Sequence, residues 1–178
     1  MAELPKAYAW LASEPGPRLL LEALKTFGTV EAAGTADNPT IISWGKSIGY
    51  GAIYKDDATP WCGLAMAYWA RQAGWDMPVN PLWARNWLDW GARVEVPNLG
   101  DVLVFSRGPS SGHVGLYVGE DDTAYHVLGG NQGNSVSIKR IAKKRLIGSR
   151  RCKWRINQPA NVRRVYLSNS GALSDNEA

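Results

Sequence analysis

The chain has 178 residues, a net charge of +4, an apolar fraction of 45% and a charged fraction of 20%. These values are typical of a folded globular domain and exclude a disordered chain. No stretch approaches the roughly 20 apolar residues that span a bilayer, so we expect no membrane insertion. The sequence has no zinc-finger spacing, no RNP pattern and no glycine-rich phosphate loop, so we expect no nucleic-acid partner.

The first residues do not have the apolar run of a signal peptide, and they include Glu3 and Glu14. We therefore expect synthesis in a cytoplasm, with another factor carrying the chain to any external target. The mild basic bias fits either simple solubility or attraction to an anionic polymer. The two cysteines and two histidines match no common zinc spacing, so we predict neither a metal ion nor another cofactor.

Helical signals occupy the first half of the chain. Proline following a capping residue opens a helix at Asn38-Pro39, at Thr59-Pro60 and at Asn80-Pro81, while Pro15-Gly16-Pro17 precedes a leucine-rich segment. The segment after Thr59-Pro60 carries no charge up to residue 70, which is typical of a buried helix. The predicted helices are residues 18–27, 39–48, a segment from 61 to at least 70, and 81–90.

Short strand signals rich in valine, isoleucine, leucine and tyrosine follow Gly100. They cover residues 101–106, 113–119, 123–128, 135–140 and 146–151. Helices followed by sequential strands predict an α+β domain, with the N-terminal helices packed on a five- to six-stranded, mainly antiparallel sheet. We assign residues 1–158 to this domain and predict a polar, flexible C-terminal tail over residues 159–178.

Cys62 stands three residues after Thr59, at the predicted start of the buried helix. If Thr59 is the N-cap, the thiol faces unpaired backbone N–H groups and the positive end of the helix dipole. Both would stabilise a thiolate, the nucleophilic form of cysteine. Cysteine is also a common small core residue, so this position alone leaves both interpretations open.

His113 stands at the start of a predicted strand, where it could deliver an imidazole to a helix-borne thiol. A third group must orient that ring, and a hairpin of strands 113–119 and 123–128 brings Asn131 back towards His113. Gln132 and Glu120 are weaker candidates for the orienting role. The second histidine, His126, lies inside a strand, and we predict a structural role for it.

The chain contains nine tryptophans, most of them between residues 61 and 90. Several must belong to the core. Flat aromatic faces also suit sugar rings and peptide stems. We therefore predict substrate contacts from Trp61, Trp83 and Trp87, and from Gln132 beside the proposed site.

The order thiol, histidine, amide is that of papain-like enzymes. The sequence resembles the CHAP group of cysteine, histidine-dependent amidohydrolases and peptidases and the neighbouring NlpC-type wall peptidases, from about residue 10 to 155. The motifs that carry the resemblance are Pro60-Trp61-Cys62-Gly63, residues 84–91, residues 100–108, Gly112-His113-Val114-Gly115 and residues 128–132. Asp101 belongs to the third of these motifs, and we predict that it is structural.

The resemblance implies a papain-like fold and cleavage of bacterial peptidoglycan, with Cys62 as nucleophile, His113 as general base and Asn131 as the third member. The bond would be the muramoyl–L-alanine amide or a peptide bond of the stem. We expect a monomer that is made in the bacterial host cytoplasm and acts on the wall, in the periplasm or outside.

Several biological roles are compatible with the sequence. A phage endolysin would depend on a holin for release, a tail lysin would associate with the virion, and an interbacterial amidase toxin would have an immunity protein. A wall-binding or virion structural module that lost activity is an alternative of another class. Acyl transfer to an amine is a further alternative to hydrolysis.

Overall fold

The computed structural model describes residues 2–34, 36–154, 157–168 and 171–174. It is an α+β fold, as predicted, in which helices lie against a six-stranded sheet. The α-helices are α1 (Arg18–Leu24), α2 (Pro39–Ser47) and α3 (Cys62–Gln72), and the 3-10 helices are Lys6–Ser13, Ala84–Asp89 and Lys143–Arg145. The strands are β1 (Ala92–Val94), β2 (Val102–Ser106), β3 (Gly112–Glu120), β4 (Ala124–Gly129), β5 (Ser137–Ala142) and β6 (Leu146–Arg151).

The sheet has the strand order β1-β6-β2-β3-β4-β5, and each of these neighbouring pairs is antiparallel. Strands β2 to β5 follow one another as a meander, and β6 crosses back to pair with β2. Strand β3 lies in the interior of the sheet, between β2 and β4. The start of β3, where His113 lies, is therefore enclosed by neighbouring elements.

The uncharged helix α3 forms the centre of the structure. It packs against α1, α2 and β3, and its residues from Cys62 to Ala67 are buried. Alternation along β2 sends Val102 and Val104 into the helix-side core, whereas Leu103 and Phe105 belong to a second buried cluster. Strands β2 and β3 are therefore buried on both faces, and they support the residues at the start of β3.

The helix start predicted from sequence at Asn38-Pro39 agrees with the structure, whereas the one predicted at Asn80-Pro81 does not. The Asn38 side chain accepts a hydrogen bond from the Thr40 backbone N–H at 2.8 Å, so the predicted cap of α2 is confirmed. The helix predicted at Asn80-Pro81 is instead a turn followed by the short 3-10 helix Ala84–Asp89. Asn80 has a φ of 51°, a left-handed conformation, whereas a helix N-cap has an extended one.

The segment after Pro159 contacts the sheet where it is described. Val162 is buried, and the Glu120 backbone N–H donates to the Val165 carbonyl oxygen at 2.9 Å. The Arg164 Nε donates to Glu120 Oε1 at 2.5 Å. Residues 169–170 and 175–178 of the predicted tail lie outside the described residues. Within the described ranges, no helix combines the length and apolarity needed to cross a membrane.

Candidate active site

Helix α3 begins at Cys62 itself. Its N-cap residue is Trp61, which makes no side-chain capping bond. The prediction that Thr59 caps this helix was wrong, because the Thr59 hydroxyl donates to Asp56 Oδ1 at 2.8 Å within the preceding turn. Cys62 is therefore the first helical residue, where backbone N–H groups have no partner inside the helix.

Gly63 allows another segment to cross the first turn of α3. A Cβ atom built on Gly63 would collide with the carbonyl oxygens of Pro81 and Leu82. No side chain other than hydrogen fits at this position unless that backbone moves. The Pro60-Trp61-Cys62-Gly63 motif thus provides both the thiol and the close packing of the segment that carries Trp83.

The Cys62 thiol is 4% exposed, and this burial raises its pKa. Backbone hydrogen bonds from Val114 and Gly63 and the positive charge of Arg107 act in the opposite direction and are outweighed. Burial therefore opposes the stabilisation of a thiolate that the helix start provides, and the net effect is a raised pKa. The contact with Val114 places this thiol beside the residue that follows His113.

His113 is fully buried near the start of β3, in register with Phe105 of β2. Its Nε2 lies 3.0 Å from Gln132 Oε1. The Gln132 Nε2 donates to the carbonyl oxygens of Val127 at 3.0 Å and of Ser137 at 2.5 Å. These two bonds turn the amide oxygen towards the ring, so His113 Nε2 must carry a proton and donate it. In neutral imidazole, Nδ1 is then the basic nitrogen.

Asn131, the predicted orienting residue, does not make this bond. It has a φ of 53°, and within the described ranges its buried Oδ1 has no hydrogen-bond partner. The amide that meets the ring is that of Gln132, which is fully buried and so has no surface with which to contact a substrate here. Glu120, the other candidate, lies seven positions along β3, roughly 23 Å from His113, and pairs with Arg164 and Lys143.

Gly129 and Gly130 separate the imidazole from the helix. A Cβ on Gly129 would lie 3.1 Å from His113 Nε2 and 2.8 Å from Gln132 Oε1. A Cβ on Gly130 would lie 2.5 Å from the Ala65 Cβ of α3. One glycine therefore makes room for the imidazole and its amide partner, and the next makes room for the helix that carries Cys62.

The ladder between strands β3 and β4 stops short of the start of β3. Their described pairing begins at Leu116↔Leu128, so residues 112–115 of β3 lie beyond it. Cys62 reaches the backbone of β3 at Val114 from the helix side, and His113 leaves the same strand on the Phe105 side. The thiol and the imidazole thus lie at neighbouring positions of β3, on its two sides.

A pocket of about 330 Å³ opens beside Cys62. Its lining includes Cys62, Trp83, Arg85, Arg107, Ser110 and Ser111. Trp83 is 67% exposed and offers an aromatic face at the mouth. Arg85 binds the loop opposite, because its Nε donates to the Ser111 carbonyl oxygen at 2.9 Å and its Nη2 donates to the Gly108 carbonyl oxygen at 2.7 Å.

The other two predicted substrate tryptophans are core residues. Trp61 and Trp87 have no exposed surface, and their Nε1 atoms donate to Glu31 Oε2 at 3.1 Å and to the Pro81 carbonyl oxygen at 2.9 Å. A side chain without exposed surface cannot touch a ligand, so neither Trp61 nor Trp87 can make the predicted substrate contact in this structure. Of the three tryptophans, Trp83 is the one that lines the pocket.

His126 and Asp101, which lie outside the pocket, have structural partners. His126 Nε2 donates to Asp121 Oδ2 at 2.9 Å and Nδ1 accepts from the Tyr8 hydroxyl at 2.7 Å, which agrees with the structural role predicted for it. Asp101 accepts from the Asn98 backbone N–H at 2.7 Å and pairs with Arg151, so it holds a turn. Burial raises the pKa of Cys152 to about 12.

Sequence reasoning missed Arg85 and Arg107 as pocket residues. They are 22 positions apart in the chain and meet only because the 3-10 helix Ala84–Asp89 faces the loop between β2 and β3. No protein-family model matches this chain, and no curated protein matches it. The case for an activity therefore depends on the residues and distances described above.

Proposed function

We propose that this protein is a cysteine-dependent amide hydrolase of papain-like design that acts on bacterial peptidoglycan. Cys62 is the nucleophile, His113 the general base, and Gln132 the residue that orients the base. The observation that carries the proposal is the contact of the Cys62 thiol with the backbone of Val114, directly after a histidine whose ring is held by a fixed amide.

The raised pKa of Cys62 decides how the reaction begins. Since the resting thiol is protonated, the sulfur attacks the substrate carbonyl carbon as His113 Nδ1 accepts the thiol proton. The proposal requires the His113 ring, which leaves β3 on the Phe105 side, to reach the thiol on the helix side. Gln132 favours the step because it accepts from Nε2–H in the neutral ring and more strongly in the charged ring.

The tetrahedral intermediate then collapses with loss of the amine, which takes the proton from His113. The product at this stage is a thioester between Cys62 and the acyl group. Water, deprotonated by His113, attacks the thioester and releases the carboxylic acid and the thiol. The backbone N–H of Cys62, at the start of α3, is the proposed donor to the developing oxyanion.

Peptidoglycan is proposed as substrate for two reasons. The separated motifs around Cys62, Asp101, His113 and residues 128–132 resemble those of CHAP and NlpC-type wall enzymes. The exposed Trp83 beside the thiol also suits a sugar ring or a peptide stem. The proposed bond is the muramoyl–L-alanine amide or a stem-peptide bond, and the proposed setting is a phage endolysin, a virion lysin or an amidase toxin.

The test uses isolated sacculi from several wall chemotypes. Wild type, Cys62→Ala and His113→Ala are incubated with sacculi, and the released fragments are identified by mass. We expect release by wild type and none above background by Cys62→Ala, and the new termini identify the bond. Absence of release by wild type from every chemotype would contradict the proposal, as would undiminished release by Cys62→Ala.

One observation favours a second candidate, a wall-binding module without activity. Cys62 is almost entirely buried and protonated, as expected of an ordinary core cysteine. Co-sedimentation with sacculi distinguishes the two, because a binding module sediments equally as wild type and as Cys62→Ala and releases no fragments. A hydrolase releases fragments only with its cysteine intact.

A further inference from the structure

A second cavity lies where the short strand β1 ends beside β6. Its volume is about 500 Å³, its walls are β1, β6 and the 3-10 helix Ala84–Asp89, and it shares no described lining residue with the pocket beside Cys62. Strand β1 pairs only with residues 149–151 of β6, so residues 146–148 extend beyond its end. A cavity of this size suits a small ligand.

Two arginines of this cavity face each other across the sheet. Arg93 of β1 is directly opposite Arg150 of β6, so the two side chains leave the same face. Like charges in directly opposed positions destabilise a sheet. The Arg150 Nε is also buried, and it has no hydrogen-bond partner within the described ranges. An anion between the two strands would satisfy this donor and offset the repulsion.

The face on which Arg150 lies is the one that the 3-10 helix covers. Gly148 and Arg150 are two positions apart in β6 and therefore point to the same side. A Cβ on Gly148 would lie 2.5 Å from the Leu88 Cδ2, so this side is the one next to the helix. Leu88 and Leu146 add apolar lining to the cavity. Arg150 is therefore directed into an enclosed space with both polar and apolar walls.

A carboxylate of the protein lines the same cavity. Glu95 follows β1 directly, and in the described structure it forms an ion pair with neither Arg93 nor Arg150. The cavity thus carries charges of both signs that do not satisfy each other. A ligand with a carboxylate and an ammonium group matches this arrangement.

We propose that this cavity binds an α-amino acid, with its carboxylate on Arg93 and Arg150 and its ammonium group on Glu95. Arginine suits the first task because its planar fork matches a carboxylate and keeps its charge at any physiological pH. The apolar lining from Leu88 and Leu146 selects an aliphatic side chain. The site is separate from the Cys62 pocket, and its ligand does not depend on the proposed hydrolysis.

Titration calorimetry of the full chain tests the proposal with three probes. Leucine has both charges, N-acetylleucine lacks the ammonium group, and leucinamide lacks the carboxylate. We expect leucine to bind roughly tenfold or more tightly than either derivative, because each derivative loses one charged partner. Absence of leucine binding at millimolar concentrations would overturn the proposal. Equal affinity for leucine and N-acetylleucine would reduce the cavity to a simple anion site and overturn it too.

Four variants locate the site. Arg150→Gln should weaken leucine binding roughly tenfold, and Arg93→Gln, at an exposed position, provides the same test if the first variant folds poorly. Glu95→Gln should abolish the preference for leucine over N-acetylleucine. Arg71→Gln removes an equal charge from the exposed end of α3 and should leave the affinity unchanged. Wild-type affinity in both Arg93→Gln and Arg150→Gln would show that leucine binds elsewhere and would overturn the assignment.

Discussion

Gln132 holds His113 through a single 3.0 Å hydrogen bond, and its own amide is fixed by two backbone carbonyls. This relationship sets the tautomer of the imidazole and connects the start of β3 to the turn after β4. The neighbouring amide, Asn131, makes no such bond in the described structure. The two adjacent amides therefore provide a matched pair for mutation.

Gln132→Ala should lower turnover on peptidoglycan by roughly 10- to 100-fold, because the imidazole loses its tautomer and orientation. Two backbone carbonyls also lose a donor, so we expect a loss of about 1–3 kcal/mol in the free energy of unfolding. Asn131→Ala should keep most activity. Thermal melts and kcat measured over a range of pH separate the effects, and equal activity of both variants would remove Gln132 from the mechanism.

The reactivity of Cys62 should depend on pH in a particular way. Its pKa is raised by burial, so iodoacetamide alkylation should be slow at neutral pH and increase through a pKa above the ordinary value of about 8.5 for a cysteine thiol. Stopped-time mass mapping measures the rate, with Cys152→Ser as the background. A plateau of fast alkylation from pH 5 to 8 would instead show a preformed thiolate–imidazolium pair.

Gly130→Ala should destabilise the fold by about 1–3 kcal/mol, since the new methyl group would lie 2.5 Å from the Ala65 Cβ and 2.9 Å from the Trp61 ring. Urea unfolding measures the loss. Adding Ala65→Gly removes one of the two collisions and should recover part of the stability. If the double variant showed strictly additive losses, the packing of this glycine against α3 would not be the cause.

Stability should decrease on mild acidification because of His126. Burial lowers its pKa and outweighs the hydrogen bond to Asp121, whose charge is already met by Arg140. Below the unfolded pKa of about 6.5, the unfolded chain binds a proton that the folded chain resists, so unfolding is favoured as pH falls. Urea unfolding at pH 8 and pH 5.5 should give a smaller difference for His126→Gln than for wild type.

The sequence after Pro159 is polar and has no periodic strand or helix pattern, so its composition predicts a flexible tail. Its described residues nevertheless lie on the sheet because Glu120 provides a buried carboxylate for Arg164 and backbone partners for Val165 and Leu167. Composition measures how much apolar surface a segment can bury, and it does not reveal a partner supplied by a distant strand.

The sequence by itself determined the α+β class, the order of the three α-helices and of strands β2 to β6, and the places of Cys62 and His113 within them. These follow from local periodicity and from turn residues, which act over a few positions. Tertiary structure alone decided which of two adjacent amides meets His113, that Trp61 and Trp87 are buried while Trp83 is exposed, and that burial raises the pKa of the Cys62 thiol. Each of these depends on side-chain direction and burial, which are set by elements far apart in the chain and leave no local pattern.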